Sequence, residues 1–383
     1  MQKFSELPVP MCSHLDMSNA IIDIDGSAGE GGGQILRTSL ALSLITGKPF
    51  HLRNIRARRS KPGLQAQHLM CVRAAAQIGS GQMRGASQGS CDLVFEPGEV
   101  KSGVYHFAIG TAGATSLVLH TIYLPLALAA GESRVTIEGG THVKASPCFH
   151  FLARTWSAYM RTLGISIEVT MDRPGFYPRG GGRIRANIKP LLPSPSGRAA
   201  WGEGIRPFHG INTLAITKAR VFSACAALPA DVDKRQTRRA VNRLRDLGLA
   251  VDTYQEAWPD GPGCMLGIEL PTEPAPTFFF GLGERGKPAE TVAAEAVDQV
   301  AEFLKADPLG VDEHSADQLV LPLVLATGAS EFRVANVSSH LLTNIAVVRA
   351  FLEHTIVCDG KEGDRGIVRV SGGITTEQAE HTE

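Results

Sequence analysis

The sequence predicts an α/β (α+β) fold on two observations: short apolar strands that run into glycine loops recur along the chain, and each loop is followed by a stretch of helical apolar spacing. The first unit runs from the strand Ile21 to Asp25 through the loop Gly26 to Gly33. It continues into a helix with Ile35, Leu36, Leu40 and Leu44 on its apolar positions and a strand from Phe50 to Ile55. In the second, Tyr105 to Ile109 enters Gly110-Thr111-Ala112-Gly113 and a helix to Ala130. In the third, Arg134 to Glu138 enters Gly139-Gly140 and a helix from about Phe149 to Leu163. The fourth joins a strand from Phe332 to Ala335 to a helix from about His340 to Phe351.

Between Pro190 and Pro276 the rhythm changes. A Pro-rich entry, a charged helix from Asp231 to Leu247 and a Pro-rich exit at Pro271, Pro274 and Pro276 predict a smaller inserted domain. The expected division is a leader over 1–20, a core over 21–189, the insert over 190–276, the rest of the core over 277–372 and a tail over 373–383. Turn formers without apolar partners make Pro193 to Gly204 an expected exposed loop, and the leader and the tail read as disordered.

The 383 residues are 43% apolar, enough to bury a full core. Lys plus Arg and Asp plus Glu number 38 each, so no global field attracts a polyanion, and nucleic-acid affinity has to come from local patches. No run of 18 apolar residues exists to cross a membrane, and the first twenty residues lack the basic start and apolar block of a secretory signal. Seven cysteines, dispersed and without Cys-x-x-Cys, read as reduced thiols of a cytoplasmic protein rather than a zinc or disulfide framework.

Three constellations carry chemistry. The loop Gly26-Ser27-Ala28-Gly29-Glu30-Gly31-Gly32-Gly33-Gln34 offers unhindered backbone N–H groups at a helix start, which suits phosphate. It has neither the Lys-Ser/Thr of a Walker loop nor the third glycine of a dinucleotide loop. Glu30 adds a carboxylate able to hold a metal, and Arg37 a guanidinium able to fork onto phosphate. Arg53, Arg56, Arg58, Arg59 and Lys61 form a basic run, read either as a solvated face or as a track for a nucleic-acid end. The insert helix, with Lys234, Arg235, Arg238, Arg239, Arg243 and Arg245, carries the same two readings. His340 follows Ser338 and Ser339, natural N-caps, and so falls in the first turn of a helix. There the dipole favours an uncharged ring nitrogen able to attack phosphorus; a capping or surface role is the alternative.

Several motifs in order resemble RNA 3′-terminal phosphate cyclases over about Ile21 to Val370. They are Asp25 through Arg37, Arg56-Ala57-Arg58-Arg59-Ser60-Lys61-Pro62-Gly63-Leu64, Gly175-Phe176-Tyr177-Pro178 with Gly180-Gly181-Gly182, Ala316-Asp317-Gln318-Leu319, and Ser339-His340-Leu341-Leu342-Thr343-Asn344. The resemblance implies a core of repeated βαβ-type modules like that of the enolpyruvyl transferases, broken by a small α/β insert. It implies that His340 is the nucleophile that becomes adenylylated, that His314, Ser315, Ala316, Asp317 and Gln318 contact the adenylate, and that Glu30 assists a divalent metal, Mg or Mn. Arg37, Arg56, Arg59 and Gln67 would line the path of phosphate and RNA end. Two positions depart from the family pattern: His120 stands where a glutamine contact to ATP is usual, and His314 where an aromatic is common. Pro193 to Pro207 looks like extra material.

The implied partners are ATP and RNA 3′-phosphate ends, with no membrane; the oligomeric state is open, a homodimer being one possibility. The implied reaction has three displacements at phosphorus: His340 attacks the α-phosphorus of ATP, AMP passes to the RNA 3′-phosphate, and the vicinal 2′-OH closes the cyclic phosphodiester. Two other readings compete with this one. A non-catalytic cyclase-like factor in RNA processing or ribosome assembly would lack the histidine, and an enolpyruvyl transferase would need no adenylylated residue.

Overall fold

The computed structural model describes residues 21–191, 204–210, 215–352 and 356–372. The leader, the tail and residues 193–203 of the expected loop lie outside them. The first module is β1 (Ile22–Asp25), α1 (Gly33–Thr46), β2 (Phe50–Arg53), α2 (Ala66–Ile78), β3 (Gln82–Arg84) and β4 (Leu93–Glu96), its sheet ordered β1-β2-β4-β3. The second is β5 (Val104–Ala108), α3 (Thr115–Ala127), β6 (Ser133–Gly139), α4 (Phe149–Phe151) continuing through a π turn (Leu152–Trp156) into α5 (Ser157–Thr162), then β7 (Ile167–Arg173) and β8 (Gly182–Ile188), ordered β5-β6-β8-β7. The stretches expected as second and third units are thus two halves of one module.

The third module opens with β9 (His209–Gly210) and is interrupted by β10 (Lys218–Ala226), α6 (Ala230–Asp246), β11 (Ala250–Trp258), β12 (Gly263–Leu270), β13 (Thr277–Leu282) and α7 (Ala289–Ala306). It resumes as α8 (Glu313–Leu323), β14 (Ser330–Val334), α9 (Ser339–Phe351), β15 (Ile356–Asp359) and β16 (Gly366–Val370), ordered β15-β16-β14-β9. Each module pairs its first two strands in parallel, as Ile22 with Phe50, Val104 with Arg134 and Glu331 with His209, and closes with an antiparallel hairpin. A helix crossover makes the parallel pair possible, and a short turn suffices for the hairpin.

The modules meet through their helices: α1 packs on both α3 and α9, and α8 on α9. Accordingly α1 is buried from Gln34 through Leu44 and α3 along its whole length. Helices buried on every side belong at the centre of a fold, and here they hold one shared core.

The insert has its own core, in which Val221, Leu244, Leu266, Val292 and Phe303 pack together. The expected limit at 276 falls between two paired strands, for Leu270 lies opposite Thr277 and α7 covers β12 and β13. We therefore propose that the unit runs to Ala306. The material expected to be extra also ends sooner than Pro207. Ile205 and Phe208 are buried, Arg206 N–H donates to Leu163 O at 2.9 Å, and Phe208 O accepts from Glu331 N–H at 3.0 Å.

Candidate active site

β1 delivers Asp25 to the start of the glycine loop, where its carboxylate accepts from Ser27 N–H at 2.9 Å and Ser27 Oγ at 2.8 Å. These bonds hold its pKa below the usual carboxylate range. Gly29 turns the loop in the left-handed region at φ 52°, facing Thr343 so closely that a Cβ would collide with its Oγ1. Glu30 N–H donates to the same Oγ1 at 3.1 Å, pinning the loop to α9. At α1 the N-cap Gly32 offers no side chain to the first-turn amides, and the group they meet is the Glu30 carboxylate, whose Oε1 lies 3.4 Å from Gln34 N–H. Gly33 has to be glycine for another reason, because a Cβ there would sit 2.5 Å from His68 Nε2 and 2.8 Å from Arg37 Nη1.

The Glu30 side chain is only 5% exposed, while His340 is 50% exposed. Oε2 accepts from Arg59 Nη2 at 2.5 Å, and Oε1 takes a long 3.4 Å contact from Gln34 N–H with His340 Nδ1 at 3.7 Å. Ser338 caps α9, its hydroxyl accepting from Leu341 N–H at 3.2 Å, so His340 does occupy the first turn. The ring therefore shows Nδ1 to a buried carboxylate, which leaves Nε2 as the nitrogen available for attack. Glu30 Oε1 is lightly engaged, and one hard carboxylate oxygen beside phosphate-binding amides fits a Mg or Mn ion that takes its other ligands from substrate phosphates and water.

Behind this pair lies a cleft lined by Arg37, His120, Tyr123, Asp317, Gln318 and Asn344. Its cavity of about 20 Å³ has room for a water and not for a nucleotide base. Asn344 is its hub: Oδ1 accepts from Gln34 Nε2 at 3.0 Å and Thr38 Oγ1 at 2.5 Å, and Nδ2 donates to Asp317 O at 2.8 Å. Arg37 Nη2 donates to Gln34 Oε1 at 2.7 Å. Burial pushes the Asp317 carboxyl up to about 6, against a hydrogen bond from Gln318 and the charges of His340, His314 and Arg37. Burial, then the Arg37 charge, drives His120 down to about 3, so its ring is neutral. Neither nitrogen of that ring has a hydrogen-bond partner among the described residues, and the ring lies tilted against Trp156 with centroids 5.0 Å apart.

The remaining expected residues divide. His314 stands exposed in the first turn of α8, its Nε2 3.8 Å from Glu313, while Ser315 and Ala316 are buried. Gln67 is engaged elsewhere, its Oε1 accepting from Ala114 N–H at 2.6 Å at the start of α3. Arg56 folds back on its own loop, with Nη1 donating to Lys61 O at 2.6 Å and Gly63 O at 3.0 Å. Burial, then the Arg59 charge, lowers its pKa. Of the two arginines expected on the polyanion path, Arg59 is the one that reaches Glu30, the carboxylate that His340 also faces.

Three further residues belong to this site. Thr343 and Asn344 bind the loop and the cleft together. His68 lies against Gly33, its Nδ1 accepting from Gln65 N–H at 3.3 Å, and burial followed by the charges of Arg37 and Arg56 pushes it down to about 3. The sequence signals for the first two are their place one turn beyond His340 and their membership of the Ser339 to Asn344 motif.

A family model described as RNA 3′-terminal phosphate cyclase matches residues 28–358. A curated protein of that name from Caldivirga maquilingensis is 44% identical over 344 residues, covering 88% of this chain and 94% of its own. Another from Ectopseudomonas mendocina is 41% identical over 357 residues, covering 92% and 98%. A third, from Salmonella typhimurium, is 41% identical over 351 residues, covering 92% and 99%.

Proposed function

The chain belongs to the RNA 3′-terminal phosphate cyclase family and is an enzyme of that family, and from this premise we propose that it converts an RNA 3′-terminal phosphate to a 2′,3′-cyclic phosphodiester through AMP carried on His340. One observation carries the reading: His340 stands half exposed in the first turn of α9 with Nδ1 facing the buried Glu30 carboxylate. A carboxylate there favours the tautomer with the proton on Nδ1 and a lone pair on Nε2, the arrangement a nucleophilic imidazole needs. Nε2 forms the bond to the α-phosphorus of ATP as the bond to pyrophosphate breaks. The α1 amides and Arg59 are placed to hold phosphate oxygens. A divalent cation at Glu30 would neutralise charge on the triphosphate.

In the second step the RNA 3′-phosphate oxygen displaces His340 from the adenylyl phosphorus. In the third the neighbouring 2′-OH attacks the activated phosphate, expels AMP and closes the ring, and its position within the same ribose supplies the effective concentration. The requirement for that hydroxyl makes RNA the substrate for cyclisation. His314 at the mouth of α8 is placed for a base or ribose, whereas Arg37, His120, Asp317 and Gln318 form the polar wall behind the histidine. The test is incubation with α-labelled ATP and Mg or Mn, one portion being denatured at once to read covalent label and another first given RNA with a 3′-phosphate while still folded. Acid-labile label on the protein that chases into AMP as cyclic ends appear supports the reading; cyclic ends without labelled protein would reject the histidine intermediate.

A further inference from the structure

A second group of functional side chains lies on other elements, where the second module meets the insert. His142 Nε2 faces His150 Nδ1 at 3.0 Å, and the Cys148 thiol completes a set whose donor atoms all lie within 4.8 Å of one another. All three residues are buried. The outer nitrogen of each ring is already held by oxygen: His142 Nδ1 by Thr141 Oγ1 at 2.8 Å, and His150 Nε2 by both oxygens of Glu256 at 3.3 Å. Thr141 Oγ1 is itself fixed by Gly175 N–H at 2.9 Å. Oxygen partners on the outer nitrogens point the inner ones at a common centre, which is how metal-binding histidines are oriented.

We propose that His142 Nε2, His150 Nδ1 and Cys148 Sγ bind a divalent transition metal of the zinc class. Two imidazoles and a thiolate are the donors such an ion selects over Mg or Ca. Bond lengths of about 2.0 Å to nitrogen and 2.3 Å to sulfur set donor separations of roughly 3.3–3.6 Å in a tetrahedral site. The two nitrogens are already near that spacing, and rotation about the Cys148 Cα–Cβ bond closes the rest. On binding, Cys148 loses its thiol proton to solvent, and the proton shared by the facing nitrogens moves out, leaving His142 protonated on Nδ1 toward Thr141 and His150 on Nε2 toward Glu256. The charge balances: a dication, one thiolate and the Glu256 carboxylate sum to zero in an interior lined by Phe176, Trp258 and Phe278.

The site would act as a clasp. Cys148 and His150 sit at the start of α4, and Glu256 on β11 of the insert. The π turn that follows adds Arg154 Nε to Glu269 Oε2 at 2.5 Å, again across the same seam. A metal here would lock insert to core and hold the turn whose Trp156 backs His120.

The full chain, grown with zinc and desalted, is assayed for metal per chain. It is then stripped with a chelator and titrated with Co²⁺, whose visible bands report tetrahedral geometry and whose near-ultraviolet charge-transfer band reports a thiolate. The expected result is one metal per chain, a stoichiometric Co²⁺ spectrum with the thiolate band, a lower melting temperature after stripping, and loss of the thiolate band in Cys148→Ser but not in Cys91→Ser, an exposed cysteine. X-ray absorption at the zinc edge of the unaltered protein, showing one sulfur and two nitrogen neighbours, makes the test independent of whether Cys148→Ser folds. Absence of stoichiometric metal together with no Co²⁺ uptake, or a Co²⁺ spectrum that Cys148→Ser leaves unchanged, overturns the proposal. The first result leaves the cluster as a metal-free hydrogen-bonded relay in which one histidine donates to the other; the second places the metal on ligands other than Cys148.

Discussion

Replacing Glu30 by Gln keeps the length and volume of the side chain and removes the charge shared between Arg59 and His340. An amide has one oxygen and one NH₂. If the oxygen stays on Arg59 Nη2, 2.5 Å away, the NH₂ turns toward His340 Nδ1 and the Gln34 N–H that now contacts Oε1. An NH₂ donor facing Nδ1 favours the tautomer with the proton on Nε2, which removes the attacking lone pair. In serine proteases the equivalent amide substitution costs about 10⁴ in rate, and the looser 3.7 Å contact argues for a smaller loss here, roughly 10²–10³ or about 3–4 kcal/mol of barrier. The cost in stability should be much less. Arg59 is 46% exposed, so losing the charge on its partner removes about 1 kcal/mol after solvent screening. Initial rates of covalent labelling from α-labelled ATP, set beside thermal melts and repeated across a metal titration, separate the two effects. Labelling of Glu30→Gln within about threefold of the unaltered protein would refute the tautomer argument; recovery of the rate at high metal would assign Glu30 to the cation instead.

His340→Ala should fold with an unchanged melt, because the Ser338 cap does not involve the imidazole, and should lose several orders of magnitude in labelling and cyclisation; label retained on another residue would move the nucleophile. His120→Gln should keep nucleotide use and gain acid tolerance. A histidine held near 3 when folded and near 6.5 when unfolded gives the unfolded chain the extra proton between those values, so stability falls as pH drops through that window, by about 2 kcal/mol at pH 5. Melts of the two proteins from pH 7 to 5 check this, and parallel curves refute it. Arg56→Ala should lower the melt by removing the bonds to Lys61 O and Gly63 O, at roughly 1–2 kcal/mol, while Arg59→Ala should weaken RNA binding with a near-normal melt. The reverse pattern, in melts and salt-dependent RNA binding, would exchange their roles.

The module rhythm was legible because a strand that ends in glycine and is followed by helical apolar spacing is a local pattern. What the pattern could not reveal was how the pieces pair. The stretches around Tyr105 and Arg134 look like two separate units, yet their strands are neighbours in one sheet, joined across α3 in the same way as β1 and β2 across α1. The insert boundary we propose differs from the expected one for a related reason. Pro271, Pro274 and Pro276 mark a turn, but a turn between antiparallel strands and a turn between domains use the same residues, and only the pairing of Leu270 with Thr277 decides between them.

Within the candidate site, local chemistry was likewise readable and long-range contact was not. His340 declares itself through the serines before it, and Glu30 through its glycines, because capping and phosphate-loop signals span a few residues. Their meeting is different: it joins positions about three hundred residues apart, and it rests on Thr343 taking the Glu30 amide and Asn344 taking Gln34 and Thr38. Threonine and asparagine in a helix carry no intrinsic signal of such a role. The basic run shows the converse limit. Arg56 and Arg59 are indistinguishable by charge and spacing, but at Arg56 the backbone turns to φ 54°, and its guanidinium closes on the carbonyls of its own loop. A cation spent on main-chain oxygens is poorly placed to track a polyanion, so the local count of positive charge overstates the charge available to RNA.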